Sequence, residues 1–120
     1  MRMMEVQILG VTLSAALLNP KIARKYEDQI KASSETFQEA LKCEIGSEGI
    51  RIQCEAVIDA IDNIFGCGSA RKVLGDETDL LTCLEAWKEL VSLYDKQVVP
   101  AIRNVSNMAL AEIKEGQGDT

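Results

Sequence analysis

Glu55, Asp59 and Asp62 follow one another at i, i+4 and i+7. On a helix that spacing puts three carboxylates on one side. Carboxylates so grouped can hold a metal ion or share acid/base work. Cysteines at 43, 54, 67 and 83 are candidate nucleophiles. The stretch IDNIFGCGSARKVLGD, Ile61 to Asp76, sets two glycines two apart before Ser69 and the Arg71-Lys72 pair. Those residue types also build phosphate-cradling loops.

The rest of the sequence weighs against chemistry at all three places. There is no histidine. That removes the commonest general base, the Ser-His and Cys-His pairs, and the commonest metal ligand. The cysteine spacings of 11, 13 and 16 contain no C-x-x-C pair for zinc or redox work. Cys54 and Cys83 fall on apolar stripes, where cysteine acts as a small inert hydrophobe. Cys67, between two glycines, is the one expected to be exposed. A dinucleotide fingerprint needs a third glycine where Arg71 stands, and a Walker loop needs a G-K-[ST] ending that is absent. The acidic trio reads as the wet side of an amphipathic helix. No catalytic, cofactor-binding or metal-binding residue is assigned, and the chain is expected not to be an enzyme.

The elements that would position these residues are mostly helical. The 120 residues, 47% hydrophobic and 27% charged, suit one globular domain over 1–120. In segment 1–18, Met4, Val6 and Ile8 alternate with polar residues, Leu9-Gly10 can turn, and Val11 and Leu13 alternate again. This predicts a short β-hairpin. Asn19-Pro20 is a helix start. Helix one is expected over 19–42, with Ile22, Tyr26, Ile30, Phe37 and Leu41 on its apolar side. Helix two is expected over 47–65, capped by Ser47 and stopped by Gly66. A short helix over 69–74, capped by Ser69 and ended by Gly75, completes a joint.

Asp79 is expected to cap a last helix over 79–114, whose stripe runs Leu80, Cys83, Leu84, Trp87, Leu90, Val91, Tyr94, Val98. Pro100 ordinarily breaks a helix. Here Ile102, Val105, Met108, Ala109 and Ile113 continue the stripe beyond it, and Pro100 lies on the opposite, polar side. One long helix bent at Pro100 follows from that phase. Thirty-five residues span roughly 50 Å, whereas a domain of this size is about 35 Å across. The last turns should overhang and present Val98, Val99, Ile102, Val105 and Ile113 to a partner or a second copy. A loose, solvated tail is expected over 115–120. The fold class is mostly α, an α+β domain with an N-terminal hairpin and about four helices.

Net charge is −6, and nine of the nineteen acids lie between Glu27 and Asp62. Nucleic acid is not an expected partner of so acidic a chain. The apolar run Val11 to Leu18 is too short for a membrane span and lacks the marks of a signal peptide. A cytoplasmic protein with reduced thiols is expected.

Several segments carry a resemblance. These are a strand pair with "GV", then Lys25-Tyr26-Glu27 opening a helix, "CEAV" at Cys54 to Val57, the Ile61–Asp76 stretch, and "CLEAWKELV" at Cys83 to Val91. The chain resembles a family of small phage and prophage proteins of Gram-positive bacteria whose genes lie among tail genes. The likeness runs from about Val6 to Val98 and is densest from Cys54 to Val91. In the usual pattern the N-terminal segment is more aromatic and acidic than "VTLSAALL", and the C-terminus is basic rather than "EGQGDT". The resemblance implies a tail assembly chaperone in the bacterial host cytoplasm. It would hold the tape-measure protein, or another tail protein, while tail subunits polymerise; a homo-oligomer is expected separately, from the overhanging stripe. The resemblance implies no cofactor and no chemistry, and gives Phe65, Gly66, Gly68, Ala70, Leu74 and Gly75 the role of shaping a joint. The alternative is a phage regulator whose acidic surface binds and inhibits a host protein. A small enzyme using Cys67 comes third.

Overall fold

The computed structural model describes residues 1–42 and 46–118, with side chains placed through 114 outside that gap. A hairpin of β1 (Met4–Ile8) and β2 (Val11–Ala15) precedes five helices: α1 (Pro20–Ala40), α2 (Ser47–Phe65), α3 (Ser69–Leu74), α4 (Leu80–Val91) and α5 (Val99–Gly118). A π-helical segment, Tyr94–Val98, joins α4 to α5. The fold is mostly helical with a short N-terminal hairpin.

The strands pair antiparallel with Val6 opposite Leu13 and Ile8 opposite Val11. Leu9 and Gly10 alone form the turn, with φ of 48° and 77°. Positive φ at both turn positions is the type I′ geometry that matches strand twist. Leucine rarely adopts it. Glu89 on α4 helps hold it there, its Oε1 accepting from the Leu9 N–H at 3.1 Å. Alternation then puts Val6, Ile8, Leu13 and Ala15 on the buried face.

Helix α1 begins as its sequence requires. Asn19 accepts from the Lys21 N–H at 3.0 Å, and Pro20 fills the first turn, where a missing N–H costs nothing. Its buried side is Tyr26 and Ser33, flanked by half-buried Ile22, Ile30 and Phe37. Leu41 does not join them; it falls past the helix end and is exposed. Helix α2 buries Val57, Ala60, Ile61 and Ile64. Ser47 is its first helical residue rather than its cap, a position taken by Gly46. Asp79 does cap α4, accepting from the Thr82 N–H at 2.8 Å.

The core gathers the hairpin's inner face, α2, α3 and α4. Two polar side chains are built into it with their partners. The Trp87 indole N–H donates to Ser33 Oγ at 2.9 Å, and that hydroxyl donates onward to the α1 backbone. Phe37 packs on Trp87 with ring centroids 4.7 Å apart. Tyr26 and Tyr94 meet at 4.6 Å.

The run expected as one helix over 79–114 is instead α4, closed by Ser92, then the π-helical segment and α5. Buried residues recur at Cys83, Ala86, Leu90 and Leu93, then jump five positions to Val98. The Val99 N–H donates to the Tyr94 carbonyl, five residues back. This π-type insertion sits just upstream of Pro100. It lets the chain pass a proline that would clash with the carbonyl four residues back in a regular ladder. The predicted stripe also sits differently upstream of the insertion: Ala86 and Leu93 belong to it, and Val91 is exposed. Helical backbone persists to Gly118, beyond the expected end at 114, and positions 119 and 120 lie outside the described residues.

The molecule measures 70 × 28 × 23 Å, with a radius of gyration of 18.1 Å. A compact chain of this length has a radius of gyration of about 14 Å. The excess length is α5.

Candidate partner-binding surface

The base of α5 is fixed by bonds between side chain and main chain that tie its approach to α1, to the loop before α1 and to β1. Tyr26 on α1 places its hydroxyl 2.6 Å from the Leu90 carbonyl and 3.0 Å from that of Val91. These carbonyls stand next to the π insertion, where the regular ladder is interrupted. Tyr94 donates to the Leu17 carbonyl at 2.6 Å. Gln97 donates to the Gln7 carbonyl and accepts from the Gln7 N–H, both at 2.8 Å. A primary amide presents donor and acceptor side by side. The Gln97 side chain therefore occupies the free edge of β1 as a neighbouring strand would. Burial pushes the Tyr26 phenol up to about 12, with the nearby Tyr94 and Asp95 adding to the shift. The Tyr94 phenol is raised chiefly by burial as well.

Beyond this base every residue from 101 to 114 is exposed. Ile102 is 42% exposed, Val105 68% and Ile113 58%. Met108 and Leu110 are exposed too. Val98 does not belong with them. It is 0% exposed, because the π insertion turns it into the core. Val99 is half-buried at the arm's root. The overhanging seam therefore starts at Ile102. As α5 leaves β1 it opens a groove of about 620 Å³, lined by Met3, Glu5, Leu18, Ala101, Ile102 and Val105 among others. Met3 and Leu18 are themselves exposed hydrophobics, so groove and seam form one apolar patch.

Two of the three places that invited chemistry, the acidic trio and the joint, are otherwise occupied. Glu55 accepts from Arg51 at 2.8 Å through both oxygens, and Arg51 also pairs with Glu48. That pairing holds the Glu48 carboxyl below its usual range. Asp59 is exposed. Asp62 turns the other way and accepts from the Ala70 N–H at 2.8 Å. The trio is thus dispersed. Among the described residues no group of three or more His, Cys, Asp or Glu is placed to hold a metal ion.

At the joint, Gly68 is the N-cap of α3 with φ of 88°, and Gly66 turns with φ of 110°. Both conformations favour glycine. Ser69 is the first helical residue, buried, and not the cap that its sequence position suggests. The Asp62 carboxylate bonds the α3 N-terminus across the joint, where a phosphate would otherwise be held, and Arg71 pairs with Asp76. Ala70 and Leu74 are buried beneath it and Phe65 is half-buried. Gly75 ends α3, donating to the Arg71 carbonyl. The sequence pattern marked the glycines and missed Asp62, whose partner lies eight residues on.

Cys67 is exposed, Cys54 half-buried and Cys83 buried. Burial, followed by a hydrogen bond to the neighbouring Cys83, pushes the Cys54 thiol up to about 11. Cys43 lies outside the described residues. No described helix is long and apolar enough to cross a membrane.

The family of unknown function DUF6673 matches residues 9–112. The chain belongs to this family. The match takes in the turn, the joint, the π insertion and most of α5, so the arm is part of the family's pattern rather than an appendage to it. No curated protein matches the chain. No solved structure matches it either.

Proposed function

We propose that the chain is a non-enzymatic assembly protein of a phage or prophage, acting as a tail assembly chaperone. It would bind the tape-measure protein through apolar helical surfaces in the bacterial cytoplasm. The observation that carries the reading is the overhang: an exposed seam of Ile102, Val105 and Ile113 on an arm whose base is tied to α1, the loop before it and β1. A seam of this kind takes the apolar face of an amphipathic helix, with anchors about one turn apart. Contiguous exposed apolar surface of this extent marks an interaction site. The tail-gene resemblance supplies the client, a long helical protein that needs cover until tail subunits surround it.

Co-expression tests it. A tape-measure protein from the same genome should stay soluble and co-purify with the intact chain. It should be lost with the Ile102→Asp, Val105→Asp double variant. Recovery of a host enzyme in place of tape-measure protein would favour the inhibitory regulator. A tape-measure protein that stays equally soluble without the chain would end the chaperone reading.

A further inference from the structure

The arm's seam is complementary to itself. Ile102 and Ile113 stand equally far from the point between Asn107 and Met108, as do Val105 and Leu110, and Ser106 and Ala109. Two α5 helices laid antiparallel about that point bring Ile102 level with the partner copy's Ile113, and Val105 with its Leu110. The smallest side chains, Ser106 and Ala109, meet at the centre, where they permit close approach of the helices.

The groove fits the same arrangement. Ala101 and Val105 line it, and they share one row of the helix with Met108 and Glu112, at i, i+4, i+7 and i+11. A twofold axis keeps equivalent rows on the same side of the pair. The second copy's Met108 and Glu112 then run on the groove's side of the pair, level with residues 107 and 103. Arg2 also lines that groove and offers Glu112 an opposite charge.

Area favours this occupant. The chain exposes 8252 Å². A compact monomer of 13.2 kDa exposes about 6,400 Å². The excess is roughly 1,800 Å², and a standard stable interface covers about 800 Å² of each partner. Arm against arm alone falls short of that. The exposed stretch is roughly 20 Å of a helix about 10 Å wide, so half its cylinder is about 300 Å² per copy. Reciprocal seating of each arm in the other copy's groove brings in Met3, Leu18 and the β1 edge.

We infer that a second copy of this chain covers the seam and groove, forming a closed antiparallel dimer through α5. Pairing does not depend on the chaperone reading. Its consequence does: dimer and client would compete for one surface, so the seam is covered until a client displaces the second copy.

Sedimentation equilibrium of the whole chain, with no client present, tests the pairing. The expected result is a reversible species of twice 13.2 kDa. Val105→Asp should weaken the dimer by about tenfold or more, with helical content unchanged because the site is exposed. In the Ile102→Cys, Ile113→Cys double variant, oxidation should link these two positions between copies, as identified by peptide mass spectrometry. A monomer at every soluble concentration, an open-ended series of larger species, or a dimer without the 102–113 link would each overturn the inference. None of these results bears on whether the tape-measure protein co-purifies.

Discussion

Gln97 and Gln7 exchange two hydrogen bonds of 2.8 Å, side-chain amide to backbone, across ninety positions of sequence. The pair fixes where the helical run leaves the hairpin, and hence where the groove opens. Gln97→Ala removes a donor and an acceptor from a solvent-accessible edge. The expected loss is about 1–2 kcal/mol in urea unfolding. Faster amide exchange at Gln7 should accompany it, with little change in the α2 core.

Tyr26 holds the same junction from the other side, through the Leu90 and Val91 carbonyls. Tyr26→Phe should cost about 1–2 kcal/mol, because those carbonyls lose their hydroxyl donor while the ring packing stays. The native phenol also has a pH signature. Its folded value is raised to about 12 from an unfolded value near 10. Stability from this group is therefore complete below pH 10 and lost as pH rises through 12. Denaturant midpoints between pH 9 and pH 12, roughly spanning the shift, should fall more steeply for the native chain than for Tyr26→Phe.

The joint should behave as structure rather than as an anion site. Asp62→Ala leaves the Ala70 N–H without its acceptor, so a loss of about 1 kcal/mol is expected. Millimolar phosphate should not raise the thermal midpoint of the native chain. A rise that disappears on substituting Arg71 would contradict this assignment.

Thiol reactivity should be ranked by exposure. At mildly alkaline pH, Cys67 should label ahead of Cys54 and Cys83. The Cys54 thiol is pushed up to about 11, and Cys83 is buried. Peptide mass spectrometry of the labelled chain gives the order directly.

The elements were largely legible in the sequence because each has a local cause. The expected spans 47–65 and 69–74 coincide with α2 and α3. The Leu9-Gly10 turn, the Asn19 and Asp79 caps and the stop at Gly66 are all written within a few residues of where they act. Bonds between distant residues were not legible. Nothing local joins Tyr26 to Leu90, Ser33 to Trp87, or Gln97 to Gln7. The stripe did continue past Pro100, but the residue inserted at Tyr94–Val98 carried Val98 into the core, and Val91, upstream of it, is exposed. A five-residue gap between Leu93 and Val98 was the available signal. A search at a period of 3.6 passes over it, since that period assumes a regular ladder. The overhanging seam was readable for a simpler reason: too long an apolar stripe had too small a body to cover it.

Hydrogen exchange read by mass spectrometry tests whether the tape-measure protein docks on the arm, comparing the chain diluted until it is monomeric with the chain bound to the tape-measure protein. New protection is expected over residues 101–114 and the Met3–Glu5 edge, with α1 and α2 unchanged. A tape-measure complex that leaves 101–114 exchanging as fast as in the free chain would contradict it.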